Sequence, residues 1–124
     1  MGSEIAPEKE FEVRVLLISL GAGIGAPLRY LIDQRVKQTR KYLLPIETLL
    51  INVLGSFVLG VTVHRDANIG FLFGTGFAGA FTTWSAFALE THDLFKSRKH
   101  WVAWSYLALT LTLGVLAAAA GNAI

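Results

Sequence analysis

Polar side chains recur at helical spacing within otherwise apolar parts of this sequence. Thr48, Asn52 and Ser56 lie four residues apart, so a helix would carry them in one stripe. Asn52 offers two N–H donors, and the stripe contains no acidic residue. Such a stripe can join neighbouring helices through hydrogen bonds. A full set of donors is also typical of a path for an anion, and we favour that interpretation.

Two later apolar stretches carry aromatic and hydroxyl groups. Tyr106 and Thr110 lie four residues apart and add further donors. Trp84 and Phe87 would share one helix face, where the positive edges of their rings could line an anion path, although such a pair more often belongs to a packed core. Glu90 is the exception, a lone acid that could accept a hydrogen bond at a helix end or lie near a pore mouth.

Arg29 lies within the first apolar stretch. An arginine in or near a membrane span is costly and usually faces protein or water. Alternatively, Arg29 reaches the membrane surface and pairs with Asp33 one turn later. Gly21 and Gly25, also four residues apart, predict that this helix packs closely against another.

The sequence holds no recognisable catalytic machinery. We find no nucleophile–base pair, metal-ligand cluster or phosphate-binding loop, and there is no cysteine. The donors suit a small, strongly hydrogen-bonding anion, so we predict a non-enzymatic role. Lysine and arginine clusters at 35–41 and 96–99 flank apolar stretches. They indicate a lipid bilayer as their partner rather than a nucleic acid.

The elements that must position these residues are membrane helices. Only 16% of the 124 residues are charged, against roughly 25% in soluble domains. A bilayer core needs about 20 apolar residues per helix, and four such stretches fit. We therefore predict an all-α membrane protein with a polar N-terminal extension over 1–12 and a single four-helix domain over 13–124. The predicted spans cover approximately 13–32, 46–64, 69–94 and 101–121.

The third span is predicted to be interrupted in mid-membrane. Glycines at 70, 74, 76 and 79 precede Thr82 and Thr83, and this density of glycine and β-branched residues favours a kinked or broken helix. A break frees backbone carbonyls, which need partners in a medium without water. A bound hard cation or nearby hydroxyl side chains could supply them. This much polarity within four helices also predicts an oligomer.

Three motifs resemble the Fluc/CrcB family of fluoride channels. The stretch 21–30, GAGIGAPLRY, is similar to that family's Gly-Gly-x-x-Gly-Ala-x-x-Arg-Tyr motif, and 48–56, TLLINVLGS, resembles its second-span motif. The stretch 76–87, GFAGAFTTWSAF, resembles its third-span signature Gly-Phe-Cys-Gly-Gly-Phe-Thr-Thr-Phe-Ser-Thr-Phe. The resemblance covers all four spans in order. Two residues depart from the pattern, Trp84 for the first phenylalanine after the threonines and Ala80 for the second glycine of the pair.

The resemblance implies passive export of fluoride by an antiparallel dimer in the cell inner membrane, with two pores and a structural sodium ion on the dimer axis. The sodium ion would be held by the backbone carbonyls of Gly79 and Thr82. In the pore, donors and ring edges would replace the water around fluoride. The implied pore residues are Asn52, Trp84, Phe87, Thr83, Ser85, Tyr106 and Thr110, with Arg29, Thr48, Ser56 and Glu90 in supporting positions.

Two other functions are weighed against a fluoride channel. A small multidrug-resistance-type antiporter is also a short four-span antiparallel dimer, but it needs a membrane-embedded glutamate in span one, and 13–32 contains none. A non-conducting structural subunit of a larger membrane complex would need neither donor stripes nor a broken third helix.

The basic residues are divided unevenly between the two ends of the predicted spans. One end carries Lys9, Arg14 and Arg65, and the other carries seven basic residues within 33–47 and 95–100. Lysine and arginine in short loops favour the cytoplasm, so we predict 33–47 and 95–100 there and both termini outside. A chain with one preferred orientation cannot supply both halves of an antiparallel dimer. We therefore favour a homologous subunit of opposite orientation over a second copy as the partner.

Overall fold

The computed structural model describes residues 6–39 and 43–124, and its regular structure within those ranges is entirely helical. The stretch 67–81 is one continuous helical path built from three consecutive elements. In chain order, the elements are α1 (Pro7–Thr39), α2 (Ile46–Thr62), α3 (Ala67–Ile69), a π-helical segment (Gly70–Ala78), α4 (Gly79–Phe81), α5 (Trp84–Lys96) and α6 (His100–Asn122).

Two of the described helices, α1 and α6, are long and apolar enough to cross a membrane, and α2 is a shorter apolar helix. With 33 residues, α1 is about 50 Å long at 1.5 Å per residue, against a bilayer core of about 30 Å. It extends beyond the predicted span 13–32 at both ends, because polar residues with good helix propensity can continue a helix outside hydrocarbon. Residues 7–12 of the predicted extension are therefore helical, while 1–5 lie outside the described residues.

The other predicted bounds fall close to the observed ones. Helix α2 begins at Ile46, directly after Pro45, and ends two residues before the predicted limit at His64. Helix α6 exceeds its predicted span by one residue at each end. The third predicted span is divided into the stretch 67–81 and α5.

Glycines allow α1 to contact the π-helical segment through backbone atoms. A Cβ added at Gly21 would overlap the carbonyl oxygen of Leu72, and one at Gly25 would come within 3.2 Å of the carbonyl carbon of Phe77. The contacts advance in the same direction along both segments, so α1 runs parallel to the π-helical segment. The close packing predicted from these two glycines is confirmed.

Helices α2 and α6 form the second closely packed pair. A Cβ added at Gly114 would lie 3.6 Å from Ser56 Oγ, and one at Gly60 would overlap the backbone of Ala118. These contacts also advance together, so α2 and α6 are parallel. The short link 63–66 returns the chain between the two pairs.

The glycine-rich part of the third predicted span forms a π-helix rather than a break. In this segment, Gly70–Ala78, N–H groups reach carbonyls five residues back, a pattern that extends to the bond from Gly79 N–H to the Gly74 carbonyl. Such helices are rare and often occur at functional sites. The interruption itself follows α4, at Thr82 and Thr83.

Candidate functional site

The helix break is held by the side chain of Asn52. Asn52 Nδ2 donates to the Thr83 carbonyl at 3.0 Å, and the Thr83 N–H donates to Asn52 Oδ1 at 2.8 Å. Thr82 and Thr83 have extended backbones. The Thr82 N–H still donates to the Ala78 carbonyl at 3.0 Å, whereas the Thr83 N–H leaves the helical ladder and donates to Asn52. The carboxamide of α2 therefore takes the place of the helical partners that Thr83 lacks.

The break takes helical donors away from several carbonyls at and before it, including those of Gly79 and Thr82. In such a helix the Thr83 N–H would donate to the Gly79 carbonyl and the Ala86 N–H to the Thr82 carbonyl. Here the Thr83 N–H donates to Asn52, and the Ala86 N–H donates to Thr83 Oγ1 at 3.1 Å. Gly79 and Thr82 thus present carbonyl oxygens, which are ligands that hard cations accept.

Acidic and imidazole side chains do not provide a metal site in the described part of the chain. No three His, Cys, Asp or Glu residues within it are grouped closely enough to hold a metal ion. A cation at the break would therefore depend on backbone oxygens.

A groove of about 500 Å³ runs along the break and is open on one side. It lies between α2, the π-helical segment, α5 and α6. Gly55 allows α2 to approach the break, because a Cβ at this position would overlap the methyl group of Thr82. The predicted site residues that line the groove are Asn52, Ser56, Gly79, Thr82, Thr83, Trp84, Phe87 and Thr110.

Three aromatic rings lead from the groove into the packed interior. The ring centroids of Trp84 and Phe87 are 5.3 Å apart, and those of Phe87 and Tyr106 are 5.1 Å apart. The rings are tilted by 49° and 54°, so neither pair is stacked face to face. Trp84 is 76% exposed, whereas Phe87 and Tyr106 are buried. Trp84 and Phe87 thus share a face as predicted, and Tyr106 lies behind them.

A buried polar cluster lies beyond Phe87. Thr48 Oγ1 donates to Glu90 Oε1 at 2.6 Å, and Thr48 is fully enclosed. The Tyr106 hydroxyl lies beside Thr48 and Glu90, but it makes no hydrogen bond of ordinary geometry to either side chain. The cluster joins α2, α5 and α6. The pairs Thr48–Glu90 and Asn52–Thr83 also show that α2 and α5 run antiparallel.

A protein-family model described as CrcB-like protein, camphor resistance, matches residues 16–122. The match includes the break, the groove and the polar cluster. The chain belongs to the CrcB family. Its apolar helices and this membership make it an all-helical membrane protein.

Relatives of this CrcB-family chain carry a functional name. The fluoride-specific ion channel FluC 2 of Bacillus cereus is 39% identical over 111 residues, which cover 88% of this chain and 94% of the relative. FluC 1 of Ligilactobacillus salivarius is 42% identical over 108 residues, 85% of this chain and 93% of the relative. FluC 1 of Listeria monocytogenes is 41% identical over 111 residues, 88% and 94% of the two chains.

The polar stripe of α2 in this CrcB-family protein requires a correction. Ser56 Oγ donates to the Asn52 carbonyl at 2.7 Å, Thr48 donates to Glu90, and one N–H of Asn52 is bonded to Thr83. The prediction that the stripe offers all its donors to an anion is therefore wrong, because buried polar groups are satisfied first by neighbouring protein groups. One N–H of Asn52 has no hydrogen-bond partner among the described residues.

Arg29 does not form the ion pair with Asp33 that the sequence allowed. Asp33 Oδ2 instead accepts a hydrogen bond from Lys37 Nζ at 3.0 Å. Arg29 Nε is buried and makes no hydrogen bond within residues 6–39 and 43–124. Lys37 lies one turn after Asp33, nearer the end of α1, and pairs with the Asp33 carboxylate there.

Ser85 and Thr110 differ in their positions relative to the groove. Ser85 is exposed and lies outside the lining. Thr110 lines the groove, and its buried Oγ1 has no hydrogen-bond partner in the part of the chain that the structure describes. Its hydroxyl hydrogen is therefore not committed to another described group.

Sequence reasoning missed several residues of the site region, of which three are informative. Gly74 and Thr75 of the π-helical segment line the groove, and Thr75 precedes Gly79 by four residues, a spacing that could have pointed to it. Glu47 is only 1% exposed beside the polar cluster. Its position two residues after Pro45, at the end of a charged connector, did not indicate that its side chain is buried.

Proposed function

We propose that this chain forms a fluoride-selective channel through which fluoride leaves the cell passively, which relieves fluoride toxicity. Relatives about 40% identical over most of the chain are named fluoride-specific ion channels. The observation that carries the proposal is the paired hydrogen bonding of Asn52 and Thr83 at a helix break, in a groove that also contains the uncommitted Thr110 hydroxyl. Fluoride release from vesicles that contain the purified chain, with chloride as the control ion, tests it.

The mechanism needs no moving gate. Fluoride is strongly hydrated, so a narrow path must replace its water with donors. The second N–H of Asn52, the Thr110 hydroxyl and the ring edges of Trp84 and Phe87 are the groups that would do this. Several weak sites in series would allow the ion to leave as well as to enter.

A second subunit is needed to close this path. Trp84 is largely exposed and Gly79 is also at the surface, so a single chain in a bilayer would turn the helix break and the donors of the groove toward hydrocarbon. Unsatisfied backbone groups are costly there. An antiparallel dimer of four-span subunits would bring the open sides together, and the parallel pairing of α1 with the third span and of α2 with α6 supports such an up-and-down subunit.

A structural sodium ion on the dimer axis follows from the same arrangement. The Gly79 and Thr82 carbonyls of both subunits would face one another there, and each has lost its helical donor. Oxygen ligands without formal charge suit a hard cation, which would offset the cost of placing an anion at membrane depth.

The partner proposed from charge is a homologous subunit of opposite orientation in the inner (plasma) membrane. The connectors 33–47 and 95–100 would lie in the cytoplasm, because they hold seven of the basic residues. The partner would then supply its own aromatic residue opposite Trp84, so the tryptophan need not serve in both pores.

A further inference from the structure

The turn between α5 and α6 presents three exposed basic side chains, Lys96, Arg98 and Lys99. The turn is tightly closed, because the Lys99 N–H donates to the Leu94 carbonyl at 2.9 Å and the Arg98 N–H to the Phe95 carbonyl at 3.0 Å. Arg98 has a φ of 60°, the left-handed conformation that ends many helices. The three charges are therefore attached to a well-defined backbone.

Aromatic contacts fix this turn to the start of α6. The Phe95 ring lies 5.8 Å from the His100 ring and 5.4 Å from the Trp104 ring, centroid to centroid, and the second contact is edge-on at 81°. Trp101 is 88% exposed and Trp104 is 61% exposed. Exposed tryptophans beside basic residues are typical of the boundary between lipid headgroups and acyl chains.

A shallow apolar groove of about 320 Å³ begins beside this turn. Leu43 and Leu44 form one wall, and Trp101, Val102 and Ser105 of the first turns of α6 form the other. Lys99 immediately precedes α6, so the basic turn and the apolar groove lie at the same end of the helix. A molecule with an anionic head and an apolar tail could contact both.

The charge at this end favours an anion. Helix α6 begins without a side-chain cap, so its first N–H groups and the positive end of its dipole add to the basic side chains. The nearest acid on α5 within the described residues, Asp93, is exposed and has His92 at 3.6 Å. An anionic headgroup gains here an attraction that a zwitterionic headgroup lacks.

We propose that this end of the chain binds an anionic phospholipid. The phosphate contacts Lys96, Arg98 and Lys99, and one acyl chain lies in the groove against Trp101 and Leu44. The site requires only that the chain is in a bilayer, so it is independent of fluoride conduction. It would favour membranes in which the leaflet at this end is rich in anionic lipid.

Fluorescence quenching by brominated lipids tests the site directly, because Trp101 is part of the groove. The full chain carrying Trp84→Phe and Trp104→Phe has Trp101 as its single tryptophan. Quenching is measured in vesicles at 0.1 M salt, with dibrominated phosphatidylglycerol or dibrominated phosphatidylcholine at matched mole fractions. We expect the affinity for phosphatidylglycerol to exceed that for phosphatidylcholine by roughly fivefold or more. This is the gain expected from one basic side chain held at the membrane surface.

The basic turn should account for that preference. In the triple variant Lys96→Gln, Arg98→Gln and Lys99→Gln, the two lipids should quench Trp101 nearly equally. Each single substitution should lose part of the preference for phosphatidylglycerol. The single variants provide the test if the triple variant does not fold. Lys9→Gln with Arg65→Gln, at the opposite end of the molecule, should keep the preference. Three results would overturn the proposal. The two lipids could quench the parent chain equally, or the preference could survive in the triple variant. Millimolar inorganic phosphate could also abolish the preference.

Discussion

Asn52 and Thr83 exchange two hydrogen bonds, from Asn52 Nδ2 to the Thr83 carbonyl at 3.0 Å and from the Thr83 N–H to Asn52 Oδ1 at 2.8 Å. One carboxamide on α2 thereby satisfies both backbone polar groups of a residue at the break. The same side chain lines the groove. The stability of the break and the proposed ion path therefore depend on one residue.

Asn52→Leu should reduce both stability and fluoride flux. It leaves the Thr83 N–H and carbonyl unpaired, at about 1–3 kcal/mol for each buried group, and it removes a donor from the groove. Thermal unfolding of the purified protein and fluoride release from vesicles measure the two effects. Asn68→Ala, at an exposed position, is the matched control. Unchanged flux would remove Asn52 from the pore, and unchanged stability would contradict the pairing.

Gly21→Ala should disrupt the packing of α1 on the π-helical segment. The added methyl group would overlap backbone atoms of Leu72 and Phe77, which cannot move aside as a flexible side chain can. We expect a loss of about 1–3 kcal/mol. Gly23→Ala is the control on the same helix, because a Cβ there meets no atom within 4 Å, and it should gain up to about 1 kcal/mol in helix propensity. Equal thermal stability of the two variants would contradict the observed contact.

The fold was largely predictable because charge and hydropathy set helix positions. Pro45 marked the start of α2, and the glycine spacing predicted the contact made by Gly21. The π-helix could not be predicted, because glycine weakens an α-helix without specifying which hydrogen bonds replace it. The break was predicted in the correct region, but its position at Thr82 depends on a partner from α2, which a local pattern does not reveal.

The candidate site was less predictable than the fold, because polar side chains have several possible partners. Asn52 both donates and accepts, so its position in a stripe did not indicate that it would pair with a backbone. Asp33 could bond to Arg29 or to Lys37 at the same spacing, and the structure selects Lys37. Glu47 is buried, and the sequence near Pro45 does not encode this, because burial depends on tertiary packing.

Removal of sodium should destabilise the assembled protein. The Gly79 and Thr82 carbonyls would lose their proposed partner, so replacing sodium with a large organic cation throughout purification should lower the unfolding temperature. Adding sodium back should restore it in a saturable manner. Unfolding temperatures that are identical in the two cations at equal ionic strength would argue against the ion.

Topology can be read from a single introduced thiol, because the chain has no cysteine. Ser97→Cys places it in the exposed α5–α6 turn. If 95–100 is cytoplasmic, a membrane-impermeant maleimide should label it in intact cells only after the membrane is permeabilised. Ala67→Cys, at the exposed start of α3 on the opposite side, should be labelled without permeabilisation. Labelling of about half of the Ser97→Cys chains in intact cells would indicate both orientations and contradict the heterodimer proposed from charge.

Fluoride release from reconstituted vesicles tests the central claim most directly. Reconstitution from detergent inserts chains in both orientations, so antiparallel pairing in this assay does not depend on topology in the cell. Vesicles loaded with potassium fluoride and made permeable to potassium are diluted into fluoride-free buffer, and external fluoride is followed with an electrode. We predict release far faster than from protein-free vesicles. Asn52→Leu should reduce this release strongly, and chloride should be retained in matched vesicles. Fluoride release no faster than from protein-free vesicles, or equal release of chloride, would contradict the claim.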